Sequence, residues 1–215
     1  MSIVYLSNVR LSFPNIVKPQ VKTNPETGTD RTAYNCELLM PPTHEGFKQF
    51  VQTYGQLALE RWKEHAQNVM GMVNADRRYR CFGSGEEKVN KKTFKVYEGY
   101  AGNVYITCSR DNPPQIIDHT GAPVDPLNTM AYQALAGKMY AGCRVNAAVK
   151  PWLQDNKHGR GVRCELIALQ FAGDDAPFGE GGTPDVSNIF GAVATPAGAA
   201  AAPAAMPLPP FMAAK

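Results

Sequence analysis

The chain has no uninterrupted apolar run of about 18 residues, so its sequence supports no membrane-spanning helix. Its opening Met1-Ser2-Ile3-Val4-Tyr5 lacks the basic region and apolar core of a secretory signal, which points to a cytoplasmic protein. Cysteine is sparse. Cys36, Cys81, Cys108, Cys143 and Cys164 are odd in number, far apart and set mostly in strand-like apolar runs. Buried reduced thiols are therefore expected, rather than a disulfide framework or a paired metal-ligand spacing. The histidines His44, His65, His119 and His158 fall at caps, helix ends and turns, none spaced to share a metal with another or with a cysteine. No phosphate-binding glycine loop is present, because Gly83-Ser84-Gly85-Glu86 lacks both a following lysine and a preceding buried strand. A Gly-x-Ser-x-Gly nucleophile motif is missing, and the scattered carboxylates form no assignable acid–base pair. These absences argue against an enzyme and against a metal or cofactor.

What the sequence does hold is an uneven charge. The formal net charge of the 215 residues is +3. Residues 173–215 carry Asp174, Asp175, Glu180 and Asp185 against Lys215 alone, a net −3, which leaves +6 on the first 172 residues. A basic body with an acidic appendage favours an anionic partner for the body. Residues 191–215 include eleven alanines and five prolines and no acid. Such a composition buries too little apolar surface to offset ordering entropy, so 173–215 reads as a disordered tail, acidic and then Ala/Pro-rich, behind one domain at 1–172.

Along the domain, alternation predicts a first strand over Ser2–Phe13, stopped by Pro14, with Ile3, Tyr5, Val9, Leu11 and Phe13 on one side. A flexible loop at 14–30 and a second strand over Thr32–Met40 follow, the latter ended by Pro41-Pro42. Thr43 is an N-cap candidate for a helix reaching about His65, with Phe47, Phe50, Val51, Tyr54, Leu57, Ala58 and Trp62 on its apolar stripe. Residues 68–101 read as a long excursion with one short strand near Tyr79–Phe82. Strands at Asn103–Arg110 and around Ile116–Ile117 and a short helix at 129–139 come next. The clearest signal is a hairpin over Gly142–Phe171. From Cys143 to Leu153 the odd positions are apolar and the even ones include Arg144, Asn146, Lys150 and Trp152, giving one buried and one cationic, aromatic face. A mainly β fold with one main helix, as a five- or six-stranded Greek-key barrel of the OB type, fits this order. Pattern alone also leaves a sandwich or an open α+β sheet in play.

Binding features outweigh catalytic ones. Seven cations, Arg77, Arg78, Arg80, Lys88, Lys91, Lys92 and Lys95, are interleaved with Tyr79, Phe82, Phe94, Tyr97 and Tyr100. Arg10, Tyr105, Arg110, Arg144, Lys150 and Trp152 occupy polar strand phases, and Lys157, Arg160 and Arg163 sit at or beside the hairpin tip. Rings stack bases and cations pair with phosphates, which is what single-stranded DNA requires of a protein surface. The competing readings are a solvated basic loop, and a Trp152 that covers a hydrophobic edge. Tyr34 and Trp62 lie on apolar phases and are assigned to the core. A virion or assembly protein with a β-domain and a spacer tail is the alternative function.

Several segments, in order, resemble a known family. They are Leu6-Ser7-Asn8-Val9-Arg10-Leu11-Ser12-Phe13-Pro14, the Tyr34–Pro42 strand, Tyr97-Glu98-Gly99-Tyr100 before Val104–Ser109, Pro114-Gln115-Ile116-Ile117-Asp118, and Tyr140-Ala141-Gly142-Cys143-Arg144-Val145-Asn146. Together, over roughly residues 3–172, they resemble the single-stranded-DNA-binding proteins of tailed phages and prophages. The resemblance implies an OB fold and sequence-independent single-stranded-DNA binding in phage replication, recombination and repair in the infected host cell. It implies no enzyme activity, metal or cofactor, and leaves a homodimer open. Proteins of this type often recruit phage or host replication and recombination partners through an acidic, apolar-tipped tail. Asp174-Asp175 and Asp185-Val186-Ser187-Asn188-Ile189-Phe190 resemble such a tail, but here the chain continues to Phe211-Met212-Ala213-Ala214-Lys215.

Overall fold

The computed structural model describes residues 2–23, 28, 30–125, 128–157 and 159–179. The elements are β1 (Val4–Thr23), β2 (Asp30–Met40), α1 (Glu45–Trp62), α2 (Ala66–Ala75), β3 (Phe82–Ser84), β4 (Val104–Arg110), β5 (Gln115–Ile117), β6 (Pro123–Val124), α3 (Thr129–Ala136), β7 (Arg144–Asn156) and β8 (Gly159–Gly173). Antiparallel ladders join β4 to β2, β2 to β1, β1 to β7 and β7 to β8. A parallel bridge between Ser109 of β4 and Glu165 of β8 closes the ring. Five strands thus form a closed barrel in the order β1-β2-β4-β8-β7, the OB-type Greek key. β3, β5 and β6 are short additions to it. At the seam Arg110 Nε lies 3.7 Å from Glu165 Oε1, and the thiols of Cys108 and Cys164 are 3.5 Å apart.

Alternation works where the ladder is regular. In β7 the residues Val145, Ala147 and Val149 are buried, as the period of two requires, and β8 sends Val162, Cys164 and Leu166 into the same core, with Leu169 joining them across the register shift opposite Ala148–Val149. In β1 the expected phase fails. Asn8 has φ +52° and the register shifts between Leu6 and Val9, so Val4 and Leu6 point inward while Ile3 and Tyr5 are 55% and 56% exposed. A slip of one residue turns every side chain before it to the opposite face. Nor does Pro14 end β1, because it sits in a bulge between Ser12 and Asn15 where no ladder N–H is required. The segment expected to be a loop from 14 onward instead extends the β1–β2 hairpin, with Thr23 opposite Asp30.

The helix begins with His44 rather than Thr43: His44 Nδ1 accepts from Gly46 N–H at 3.0 Å and Nε2 lies 2.9 Å from Ser7 O. Gly46 serves packing there, since a Cβ at that position would lie 2.6 Å from Tyr5 O. Beyond Trp62 a short 3-10 turn leads into α2, so the first part of the expected excursion is helical. Trp62 is buried as expected, and its Nε1–H donates to Asp155 Oδ2 at 3.1 Å. All five cysteines are buried free thiols. Among the described residues no helix is long and apolar enough to cross a membrane. The expected tail lies outside the described residues from 180 onward. Residues 174–179, just past β8, pack back on the barrel through Tyr140, Arg10 and Arg144.

Candidate nucleic-acid interface

A groove of about 500 Å³ runs across the outer face of β2 and β4, bounded on one side by the β7–β8 hairpin and on the other by the segment 77–97. Its construction begins with the hairpin. Gly161 lets the Tyr79 backbone approach closely, since a Cβ there would lie 2.6 Å from Tyr79 O, and Val162 N–H donates to that same carbonyl at 2.8 Å. Arg163 Nη1 donates to Arg78 O at 3.0 Å. The tip of the hairpin is fixed by Asp155, which accepts from Trp62, Arg61 and Arg160. Those bonds, the Trp62 indole first, hold the Asp155 carboxyl below the usual range.

These contacts bring Arg77, Arg78, Arg80, Lys88, Tyr105, Trp152 and Arg163, seven of the residues singled out in the sequence, to the wall of one groove. Their charges are not equivalent. Arg80 is held in two bonds of 2.9 Å to the Glu87 carboxylate, and Lys88 Nζ lies 2.5 Å from Glu37 Oε1 and 4.2 Å above the Tyr105 ring. Arg78 pairs with Asp76, whose carboxyl this bond holds low. Arg77 and Arg163, by contrast, hydrogen-bond to neutral acceptors among the described residues: Glu87 O for the first, Gln154 Oε1 and Arg78 O for the second. Among the described residues neither of those two is held in a salt bridge, so their guanidiniums are the groove charges most open to an anion. Trp152, 43% exposed, lies directly opposite Arg163 in the β7–β8 ladder, which places an open ring beside an open guanidinium. Tyr105 is a wall rather than an open ring, being buried under Lys88.

The remaining candidates lie elsewhere. Arg10 and Arg144 share the Asp175 carboxylate, at 3.4 and 2.6 Å, and Arg10 also covers the Phe178 ring. The Ala176 N–H and Arg144 hold Asp175 low. Arg144 has the strand phase of Trp152, but eight residues at ~3.3 Å each put it about 26 Å away along β7. Arg110 seals the barrel seam and Arg160 binds Asp155. Lys150 faces the α1 side, with Leu57, Glu60 and Arg61, and Lys157 is exposed at the hairpin tip. Lys91, Lys92, Phe94 and Lys95 stand on a small finger in which Asn90 N–H donates to Lys95 O and the Asn90 side chain accepts from Lys92 and Thr93 N–H.

The groove also contains Arg31, Thr107, Ser109 and Gln154, which the sequence reading did not select. Arg31 occupies the β2 phase opposite Cys36 and Leu38, and Thr107 and Ser109 the outward phase of β4, so alternation alone held the signal. The Arg31–Asp111 pair, at 3.2 Å, is exposed on both sides and weak. Among the described residues no group of three or more His, Cys, Asp or Glu side chains could hold a metal.

A family described as the single-stranded-DNA-binding protein of Enterobacter phage Enc34 matches residues 2–199. A curated relative, putative protein p50 of Acyrthosiphon pisum secondary endosymbiont phage 1, is 30% identical over 190 residues, covering 86% of this chain and 91% of that protein. Among solved structures, the Enc34 single-stranded-DNA-binding protein in complex with single-stranded DNA aligns with a TM-score of 0.60 at 24% identity, over 82% of this chain and 89% of that one. A further structure of the same phage protein gives 0.58 at 24% identity, over 87% and 89%.

Proposed function

Since the chain belongs to the family of the Enterobacter phage Enc34 single-stranded-DNA-binding protein, we propose that it binds single-stranded DNA along the β2–β4 groove without reading sequence and without catalysis. Barrels of this strand order take oligonucleotides across their second and third strands, between the first–second and fourth–fifth hairpins. In this chain those are β2 and β4, flanked by the β1–β2 and β7–β8 hairpins. The observation that carries the reading is the open Trp152 ring beside Arg163, with Arg77 on the same groove wall; among the described residues no carboxylate forms a salt bridge with either guanidinium. The ring supplies a stacking platform indifferent to base identity, and the guanidiniums take phosphates. Thr107 and Ser109 offer hydroxyls between them. Covering exposed strands in this way suits phage replication, recombination and repair in the host cell, with the binding domain of 1–172 extended by the residues to Gly179 that pack on the barrel and the tail following them.

Fluorescence anisotropy with labelled single strands and duplexes at several salt concentrations tests this. Four groove cations, Arg31, Arg77, Arg78 and Arg163, each neutralising one phosphate, give a log K against log salt slope of about −3. Single strands should bind more tightly than duplex. A flat salt response, or equal affinity for duplex, would overturn the reading.

A further inference from the structure

Beside the groove lies a second compartment of about 700 Å³, reached past Tyr97, whose ring lines both. Its other walls include Phe13, Asn90, Thr93, Lys95 and Phe178. A third depression on β2, lined by Arg31 and Thr107 of the groove, also ends on Phe13. Two routes out of the groove therefore converge on one ring.

Phe13 is an unusual residue to find there. It has φ +45°, a left-handed backbone that a bulky side chain adopts at a cost, and its ring is 46% exposed. The bulge at Ser12–Asn15 turns it outward, and Tyr97 braces it edge-on with ring centroids 5.2 Å apart. Lys95 stands on the finger above, and among the described residues no carboxylate pairs with it. Glu98, the one acid on this wall, accepts from Gly179 N–H at 2.8 Å.

We infer that a single strand leaving the groove past Tyr97 continues into this compartment, stacking a base on Phe13 and passing a phosphate to Lys95. The inference rests on the groove reading and extends it: continuity through Tyr97 and the strained, outward ring are what carry it.

Anisotropy of the full chain with oligo(dT) of about 4 and about 12–16 nucleotides, spanning the site sizes of such barrels, separates the two sites. Long strands should bind more tightly than short ones. Phe13→Ala should weaken long-strand binding about five-fold or more and leave the short strand unchanged. Lys95→Ala, at an exposed position where folding is not at stake, should make the long-strand salt slope shallower by about 0.7. Trp152→Ala should weaken both lengths. A gain with length that survives both Phe13→Ala and Lys95→Ala overturns the extension alone. Tighter long-strand binding by Phe13→Ala overturns it in favour of the chain's own residues beyond Gly179 as the occupant. No binding at any length removes the groove reading and the extension with it.

Discussion

Trp152→Ala lowers the affinity for single-stranded DNA by about five- to 150-fold, the ~1–3 kcal/mol that one stacked base contributes. The ring is nearly half exposed, so its removal leaves the fold standing, and the loss belongs to binding. The salt slope should remain as in the parent, because no cation has been removed. Trp152→Phe, which keeps a smaller π face, should recover most of the affinity. Anisotropy at fixed salt, with circular dichroism as the folding control, reads all of this. Unchanged affinity in a folded Trp152→Ala protein would assign the ring to covering the hydrophobic edge of Leu57 and Leu153 instead.

Glu37→Ala should produce the largest loss of stability. Its carboxylate takes Lys88 at 2.5 Å, the Tyr100 hydroxyl at 2.6 Å and the Thr107 hydroxyl at 3.1 Å. The Glu37 side chain is 12% exposed and that of Lys88 24%. Truncating Glu37 leaves an ammonium poorly solvated and takes a carboxylate acceptor from the fully buried Tyr100. Breaking one partner of such a pair costs about 3–5 kcal/mol, and the partial exposure of Lys88 favours the lower end. At about 2–4 °C per kcal/mol for a domain of this size, the melting temperature should fall by about 6–12 °C. The double variant Glu37→Leu with Lys88→Met should melt well above Glu37→Ala, since it removes the stranded charge along with its partner. A melting temperature within about 2 °C of the parent for Glu37→Ala would show that the network does not hold the groove floor.

These two residues also mark what could and could not be read in the sequence. Trp152 was legible because β7 alternates from Arg144 to Trp152, with every odd position buried, so a period of two assigns its face. The barrel was legible for a related reason: its longest ladders are antiparallel hairpins between strands adjacent in the chain, and their register shifts are local. Glu37 was not, because its partners lie 51, 63 and 70 residues away and meet it only when β2, β4 and the segment carrying Lys88 and Tyr100 close over one another. The same physics misplaced Arg10 and Arg144. Both have the right strand phase, but Asp175 arrives from beyond the end of β8 to pair with them, and phase says nothing of position along a strand. Phe13 shares a strand side with Val9 and Leu11 by alternation alone, because a bulge carries no composition signature that a ladder pattern reveals, and the shared side of Ile3 and Tyr5 failed on the same ground at Asn8.

Photocrosslinking of the full chain to oligo(dT), with the modified residues mapped by mass spectrometry, tests the central claim most directly. The account predicts adducts on Trp152 and Tyr97 and on the β2, β4 and β7–β8 peptides that line the groove. Adducts confined to α1, α2 or the β5–β6 edge, with the groove peptides unmodified, would contradict it.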